Sequence, residues 1–450
     1  MIKLNFFNSL KDNYLKSGLK LEDIETSQYE QQLKNIILNK SRDMMDWIDL
    51  PYQGKSFFEE IQTYGEHIRN HYENFIVLGI GGSALGAKAI KQALYPYNPQ
   101  KIKVTIVDNI DAENFYSIIE SINLEKTMFN VVTKSGTTVE ILTMFVIVLE
   151  KLKTLMGEKA SLNLVVTTEK NNALWNFCQE NNIKTYEIPK GVGGRYSVLC
   201  PVGLLPSAVM GINLEKLLGG AKQVLENFKQ QDLSKNICYV SALINYSYFL
   251  RGKTEMVLLP YSNRLSEMAD FYIQLLSESL GKEKLLNGQP NTIFFTPTKA
   301  EGVTYQHSLL QMFQEGKQNR LFCFINLKKP VRDIEVPKFE TKSLDKFLPT
   351  TMATLMTKEQ VASSLALKKA GHPSYEIIVP SITEENIGTL LFYFELTTAL
   401  MAELMGVNAY NQPGVEIQKQ LTKVMIGTEG FESKKQELLN MLKNKEKYEI

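Results

Sequence analysis

Cysteine and histidine are scarce: the chain of 450 residues has four of each. Cys178, Cys200, Cys238 and Cys323 are widely spaced and make no CxxC pair. That leaves neither a disulfide framework nor a thiolate zinc site, and four histidines are thin material for a metal centre. A reduced, cytoplasmic setting is the simplest expectation. A charge of one sign is also lacking, since 50 Lys and Arg stand against 49 Asp and Glu for a formal net charge of +1. This balance excludes the broad basic surface of a nucleic-acid-binding domain, and no nucleic-acid partner is expected. The opening MIKLNFFNSLKDNYLK has no long apolar core and no small-residue cleavage site, so it does not read as a secretion signal. The most apolar stretch, TLLFYFELTTALMAELMG over 389–406, carries Glu395 and Glu403, whereas a membrane-spanning helix needs about 20 largely uncharged residues. It reads as a buried helix of a soluble protein, with no membrane partner.

What is present is core-forming material: 44% of residues are hydrophobic and 10% aromatic, over a length that allows one to three domains at about 150 residues each. The first 70 residues are mixed and mostly helical in pattern. Short apolar runs then alternate with helix-length segments, the rhythm of a parallel α/β architecture. FIVLG (75–79), KVTIVD (103–108), FNVVT (129–133), LNLVVTT (162–168) and TYEIP (185–189) predict the strands of one doubly wound unit. MVLLP (256–260), TIFFT (292–296), LFCFINL (321–327) and YEIIVP (375–380) predict a second. From Asn411 onward, GVEIQKQLTKVMIG and the segment ending KNKEKYEI predict terminal helices separated by a turn over 427–430, with the lysines of 434–447 on a solvated face. No short-period repeat or low-complexity linker appears, so the expected division is an arm over 1–70, units over 71–212 and 213–410, and a C-terminal arm over 411–450.

Two strand ends carry phosphate-type loops. The first strand ends in GIGGSALG over 79–86, where glycines permit close backbone approach and the following helix start offers partial positive charge to an anion. Gly79, Gly81 and Ala84 also satisfy the GxGxxG/A dinucleotide pattern, and Asp108 ends the next strand where a ribose-binding carboxylate would sit. At this loop a nicotinamide-dependent oxidoreductase and a packing turn both remain open. The third strand runs into VTKSGTTVE over 132–140, where Thr133, Lys134, Ser135, Thr137 and Thr138 crowd one turn around Gly136. Such a set of hydroxyl and backbone donors suits a phosphate monoester better than a pyrophosphate, with ordinary N-capping as the plainer alternative.

Four further segments carry candidate chemistry. In GVGGRYSVLCPVGLLP, over 191–206, Arg195 follows two glycines and can approach an anion or a developing enolate closely, or form a structural ion pair. In QLLSESLGK, over 274–282, Glu278 lies on the last turn of an apolar helix that stops at Gly281; facing a cavity, its carboxylate could have its proton affinity raised by desolvation, and the plainer alternative is an exposed surface glutamate. His307, in YQHSLLQMFQEG over 305–316, can exchange protons near neutral pH or sit hydrogen-bonded in a core. AYNQPGVEIQK, over 409–419, sets Gln412 before a helix bearing Glu416 and Lys419, and taken alone Lys419 reads as a surface lysine. His67 and His71 are four apart on a predicted helix, but without a third ligand they make no metal site.

GIGGSALG, VTKSGTT, GGRYSVL, ESLGK, QHSLLQMFQEG and YNQPGVEIQK occur in this order from residue 79 to 419. Together they resemble the glucose-6-phosphate isomerase family in its shorter bacterial form. The resemblance implies two flavodoxin-like sugar-isomerase (SIS) domains with parallel sheets and helical terminal arms, and an active site between the domains at a homodimer interface. It implies reversible conversion of glucose 6-phosphate and fructose 6-phosphate through a cis-enediol, with no metal or redox cofactor. Matching positions put the sugar phosphate on Gly82 and Ser83 of the first loop and on Thr133, Lys134, Ser135 and Thr138 of the second. They make Glu278 the base that moves the proton between C1 and C2 and Arg195 the stabiliser of the enediolate. His307, from the neighbouring subunit, and Lys419 would assist ring opening, and Gln412 would contact substrate. A non-catalytic sugar-phosphate-binding regulator built from the same domains is the alternative, and the joint presence of Glu278, His307 and Lys419 counts against it.

Overall fold

Ten strands form two five-stranded sheets in the computed structural model, which describes residues 2–25, 30–95, 101–230, 232–338, 341, 348–427, 432–443 and 445. The first sheet comprises β2 (Asn74–Leu78), β3 (Lys103–Val107), β4 (Thr127–Val132), β5 (Leu164–Thr168) and β6 (Lys184–Glu187). Its spatial order is β3-β2-β4-β5-β6, and every pairing is parallel. Counted from its own first strand this is 2-1-3-4-5, the flavodoxin-like doubly wound arrangement. All five expected strands are present within two residues at either end. They were legible because strands buried on both faces read as near-continuous apolar runs, and β2, β4 and β5 are buried along their whole length. On one face Ile76, Leu78, Phe129 and Val131 pack against Ile141, Phe145 and Val148 of the helix Val139–Met156.

The second sheet contains β7 (Glu255–Tyr261), β8 (Thr296–Lys299), β9 (Arg320–Leu327) and β10 (Ser374–Val379), with β1 (Lys3–Asn5) at its edge. The order β1-β10-β9-β7-β8 places β1 beyond β10 and antiparallel to it, with Lys3 opposite Ile378 and Asn5 opposite Glu376. This corrects two expectations. The opening segment is not simply a helical arm: it supplies a strand that covers the free edge of β10, a pairing too short to leave an alternating pattern in the sequence. The strand expected over 292–296 begins instead at Thr296. Before it, Asn291 donates to the carbonyls of Lys282 (2.9 Å) and Ile293 (3.1 Å) and accepts from the Ile293 amide (3.0 Å), bending the chain. Phe295 stacks on Phe249 at 3.8 Å instead of entering the ladder.

The apolar stretch over 389–406 belongs to the helix Glu384–Met405, capped by Thr383 and ended by Gly406 in the left-handed region. It is long and apolar enough to cross a membrane, yet most of it is buried inside the protein, as expected for a core helix. All four cysteines are buried and unpaired. The chain through Ala409 forms one compact unit that holds both sheets, and Tyr410–Ile450 forms another. The latter contains the turn Pro413–Val415 and the helices Glu416–Met425 and Glu432–Leu442. The expected turn over 427–430 and the lysine face over 434–447 lie partly outside the described residues.

Candidate functional site

In the first sheet the chain reverses direction of winding between β2 and β4, and a doubly wound sheet opens a crevice at the carboxyl ends of the strands flanking that point. Both phosphate-type loops leave from those two strands. In the first, Gly81 takes φ +58° and Gly82 has no room for a side chain: a Cβ there would lie 2.2 Å from the Gly194 carbonyl oxygen. The loop is thereby laid directly on the Gly194–Tyr196 turn that carries Arg195. A Cβ on Gly81 would meet Gln274 Nε2 at 2.9 Å, so the helix Ser266–Leu280 closes on the same loop. Asp108, the carboxylate that a dinucleotide site would use, is paired with Lys88 at 2.7 Å.

The second loop reaches the helix Val139–Met156 through Thr138, which occupies the N-cap position without making a side-chain capping bond. Its hydroxyl meets that of buried Thr133 at 3.0 Å. Ser135 is exposed, and its hydroxyl accepts from the Thr137 amide (3.2 Å) and the Thr137 hydroxyl (2.9 Å). The Thr138 hydroxyl thus leaves the first-turn amides of the helix without a side-chain cap. Lys134 departs from simple expectation. Its ammonium donates to the carbonyls of Lys190 (3.0 Å) and Val192 (2.8 Å), tying this loop to the segment leading into Arg195, and burial pushes its pKa down.

Arg195 and Glu278 form the centre. Arg195 is only 3% exposed. Its guanidinium donates to Ser279 Oγ (2.8 Å), to the Ala409 carbonyl and to Glu278 Oε2 (3.2 Å). Glu278 is also held by Gln274, whose Nε2 donates to Oε1 at 3.0 Å, yet its side chain keeps 31% of its exposure. A carboxylate fixed on two sides and open on the third can accept a proton from a bound molecule, with a buried cation beside it to stabilise the anion left behind. Behind them, Tyr196 meets Ser279 Oγ at 3.2 Å, and burial pushes the tyrosine up to about 12. The Glu395 carboxyl is wholly buried, and burial raises its pKa well above the usual carboxylate range.

Gly82 therefore lies against the turn that carries Arg195, Arg195 pairs with Glu278, and Lys134 ties the second loop, with Thr133, Ser135 and Thr138, to the segment leading into that turn. His307 does not join them within this chain: it is exposed on the turn Thr304–His307, whose neighbour Tyr305 is buried and meets Tyr261 Oη at 3.1 Å. In the unit beginning at Tyr410, Gln412 precedes the turn Pro413–Val415, and Lys419 pairs with Glu416 at 2.8 Å on an exposed helix face. Among the described residues no group of three or more His, Cys, Asp and Glu side chains gathers, and His67 and His71 stack on one another at 4.2 Å.

A family model described as phosphoglucose isomerase matches residues 26–438. The chain belongs to the phosphoglucose isomerase family. Within it, the chain is 37% identical to a glucose-6-phosphate isomerase of Carboxydothermus hydrogenoformans over 98% of both proteins. A crystal structure of a Thermus thermophilus protein described as hypothetical superposes with a TM-score of 0.86 at 32% identity, covering 95% of this chain and all of that one. That of a Chlamydia trachomatis glucose-6-phosphate isomerase superposes with a TM-score of 0.84 at 20% identity, covering 98% of this chain and 92% of that one, a likeness of fold.

Sequence reasoning about this family member passed over several residues at the crevice. Gln274 is one helical turn before Glu278, a spacing that could have revealed it. Asn172, the N-cap of the helix Ala173–Glu180, donates to the Lys134 carbonyl (3.2 Å) and to Thr168 Oγ1 (2.8 Å) and would clash with any Cβ on Gly136. Its signal was only that of a cap. Ser279 and Lys282 gave no signal beyond their neighbours.

Proposed function

We propose that this family member interconverts D-glucose 6-phosphate and D-fructose 6-phosphate through a cis-enediolate, as a cytoplasmic homodimeric enzyme of glycolysis and gluconeogenesis. The observation that carries the proposal is the partly open Glu278 carboxylate held between buried Arg195 and Gln274 beside two anion-type loops. Ser83, Thr133, Ser135 and Thr138, with the backbone of Gly82, anchor the substrate phosphate, and Lys134 joins this cradle to the arginine segment. Phosphate anchoring then places C1 and C2 against Glu278, so that remote binding energy positions the reacting carbons. Glu278 removes a proton from one carbon and returns it to the other, while Arg195 stabilises the negative charge on the enediolate oxygen. The interconversion is redox-neutral, and no cofactor is part of the proposal.

His307 of the neighbouring subunit and Lys419 open the sugar ring, and Gln412 contacts the substrate; this part rests on the family motifs QHSLLQMFQEG and YNQPGVEIQK. The exposure of His307 on its own chain fits a side chain offered across a subunit boundary. The domain division belongs to the same reading, with β2 to β6 in a first sugar-isomerase domain over 71–212, β7 to β10 in a second over 213–410, and arms over 1–70 and 411–450. The test is conversion of fructose 6-phosphate to glucose 6-phosphate by the purified protein without added metal or nucleotide. Turnover is expected; binding without turnover would replace the enzyme by a sugar-phosphate-binding regulator.

A further inference from the structure

Lys282 is a lysine 6% exposed, directly after the glycine that ends the helix Ser266–Leu280. A buried lysine is uncommon unless paired or bonded. The fold holds this one at both ends of the residue. Its amide donates to the Leu280 carbonyl at 2.8 Å, and its carbonyl accepts from Asn291 at 2.9 Å. Its ammonium turns back along the helix and donates to the main-chain carbonyl of Glu278. Arg195 thus pairs with the Glu278 carboxylate while Lys282 holds the Glu278 main chain, so two positive charges serve a residue with one negative charge, an excess of one that suits a reaction in which negative charge arises on the substrate while Glu278 is neutralised by the proton it takes up.

We propose that Lys282 is a positioning residue for the base: its ammonium fixes the last helical turn, which carries Glu278, and supplies a second positive charge for the developing enediolate. This rests on the isomerase reading above. Burial first, and Arg195 second, push the Lys282 ammonium down to about 8, with Glu278 acting in the opposite sense. Those are the charged groups acting on it, Arg195 from the Gly194–Tyr196 turn and Glu278 from the helix that Lys282 follows. Lys282 is therefore charged below pH about 8 and loses its charge as pH rises through that value.

The experiment compares Lys282→Met and Lys282→Arg with the unmutated protein, measuring kcat and KM for fructose 6-phosphate from pH 6 to 10, with circular dichroism as the check on folding. In the unmutated protein, kcat/KM should fall on the alkaline side with a midpoint near pH 8. Lys282→Met should lose at least about tenfold in kcat at neutral pH, the equivalent of one pK unit of charge interaction, with little change in KM because Lys282 acts on the turn bearing the base and not on the phosphate loops. Lys282→Arg should recover most of that loss and carry the alkaline fall at least about one pH unit higher, since a guanidinium stays charged. A folded Lys282→Met protein with an unaltered kcat, or a Lys282→Arg protein that keeps the alkaline fall in place, overturns the proposal. If Lys282→Met does not fold, the Lys282→Arg profile decides alone. An unmutated protein that turns over no fructose 6-phosphate overturns the isomerase reading, and this inference with it, before any variant is compared.

Discussion

A Cβ on Gly82 would lie 2.2 Å from the Gly194 carbonyl oxygen and 2.7 Å from the Arg195 amide nitrogen. Both neighbours are backbone, so neither can swing away as a flexible side chain would. Gly82→Ala must part the first loop from the arginine turn, and a displacement of about 1 Å at a reacting group can cost about 100-fold. We expect kcat/KM to fall by at least about that factor while circular dichroism stays native; an unimpaired Gly82→Ala enzyme would detach Arg195 from the reaction. At this scale the sequence showed which residues could do chemistry but not how they are held. Arg195 was visible because glycines precede it and Glu278 because it ends an apolar helix. Lys282 was not, since a lysine beyond a helix-ending glycine is ordinarily solvated. The anchoring of Lys134 on the carbonyls of Lys190 and Val192 was equally hidden, because it joins segments more than fifty residues apart.

In the proposed reading the element that matters most for binding is the helix Val139–Met156, whose N-cap hydroxyl is turned to Thr133. Ser135→Ala combined with Thr138→Ala removes two hydroxyls of the proposed phosphate cradle without removing a side-chain capping bond. Hydrogen bonds to a charged group contribute about 1.5 to 3 kcal/mol each, so KM should rise at least about tenfold with kcat little changed. Steady-state kinetics with fructose 6-phosphate would show it, and an unchanged KM would dismiss the cradle. The strands were the most legible elements, for continuous β-branched runs leave little alternative. They failed where tertiary contacts decide. Phe295 chose the ring of Phe249 over a ladder, and Lys3–Asn5 became a strand only because β10 offers it an edge.

Over the whole molecule, strand order brings the two loops together: they lie some fifty residues apart in sequence, and only the placement of β2 beside β4 makes them neighbours. In the second sheet, β10 begins just after a buried histidine. His372 is fully buried, set edge-on to Phe322 at 5.5 Å. Burial first, then Lys253 and Arg320, push it down to about 4. Its folded value lies below the unfolded value of about 6.5, so on acidification the unfolded chain takes up the proton first and stability falls between those pH values, by about 3 kcal/mol in all. Urea midpoints measured between pH 7 and 4 should drop in the unmutated protein and drop less in His372→Leu; parallel curves would remove His372 from the account. The central claim, that Glu278 carries a proton between adjacent carbons of a phosphosugar, is tested most directly by proton NMR with fructose 6-phosphate in deuterated water. The account predicts glucose 6-phosphate bearing deuterium at C2 with the unmutated protein, and no C2 deuterium with Glu278→Gln although the substrate still binds. C2 deuteration that persists in Glu278→Gln would contradict it.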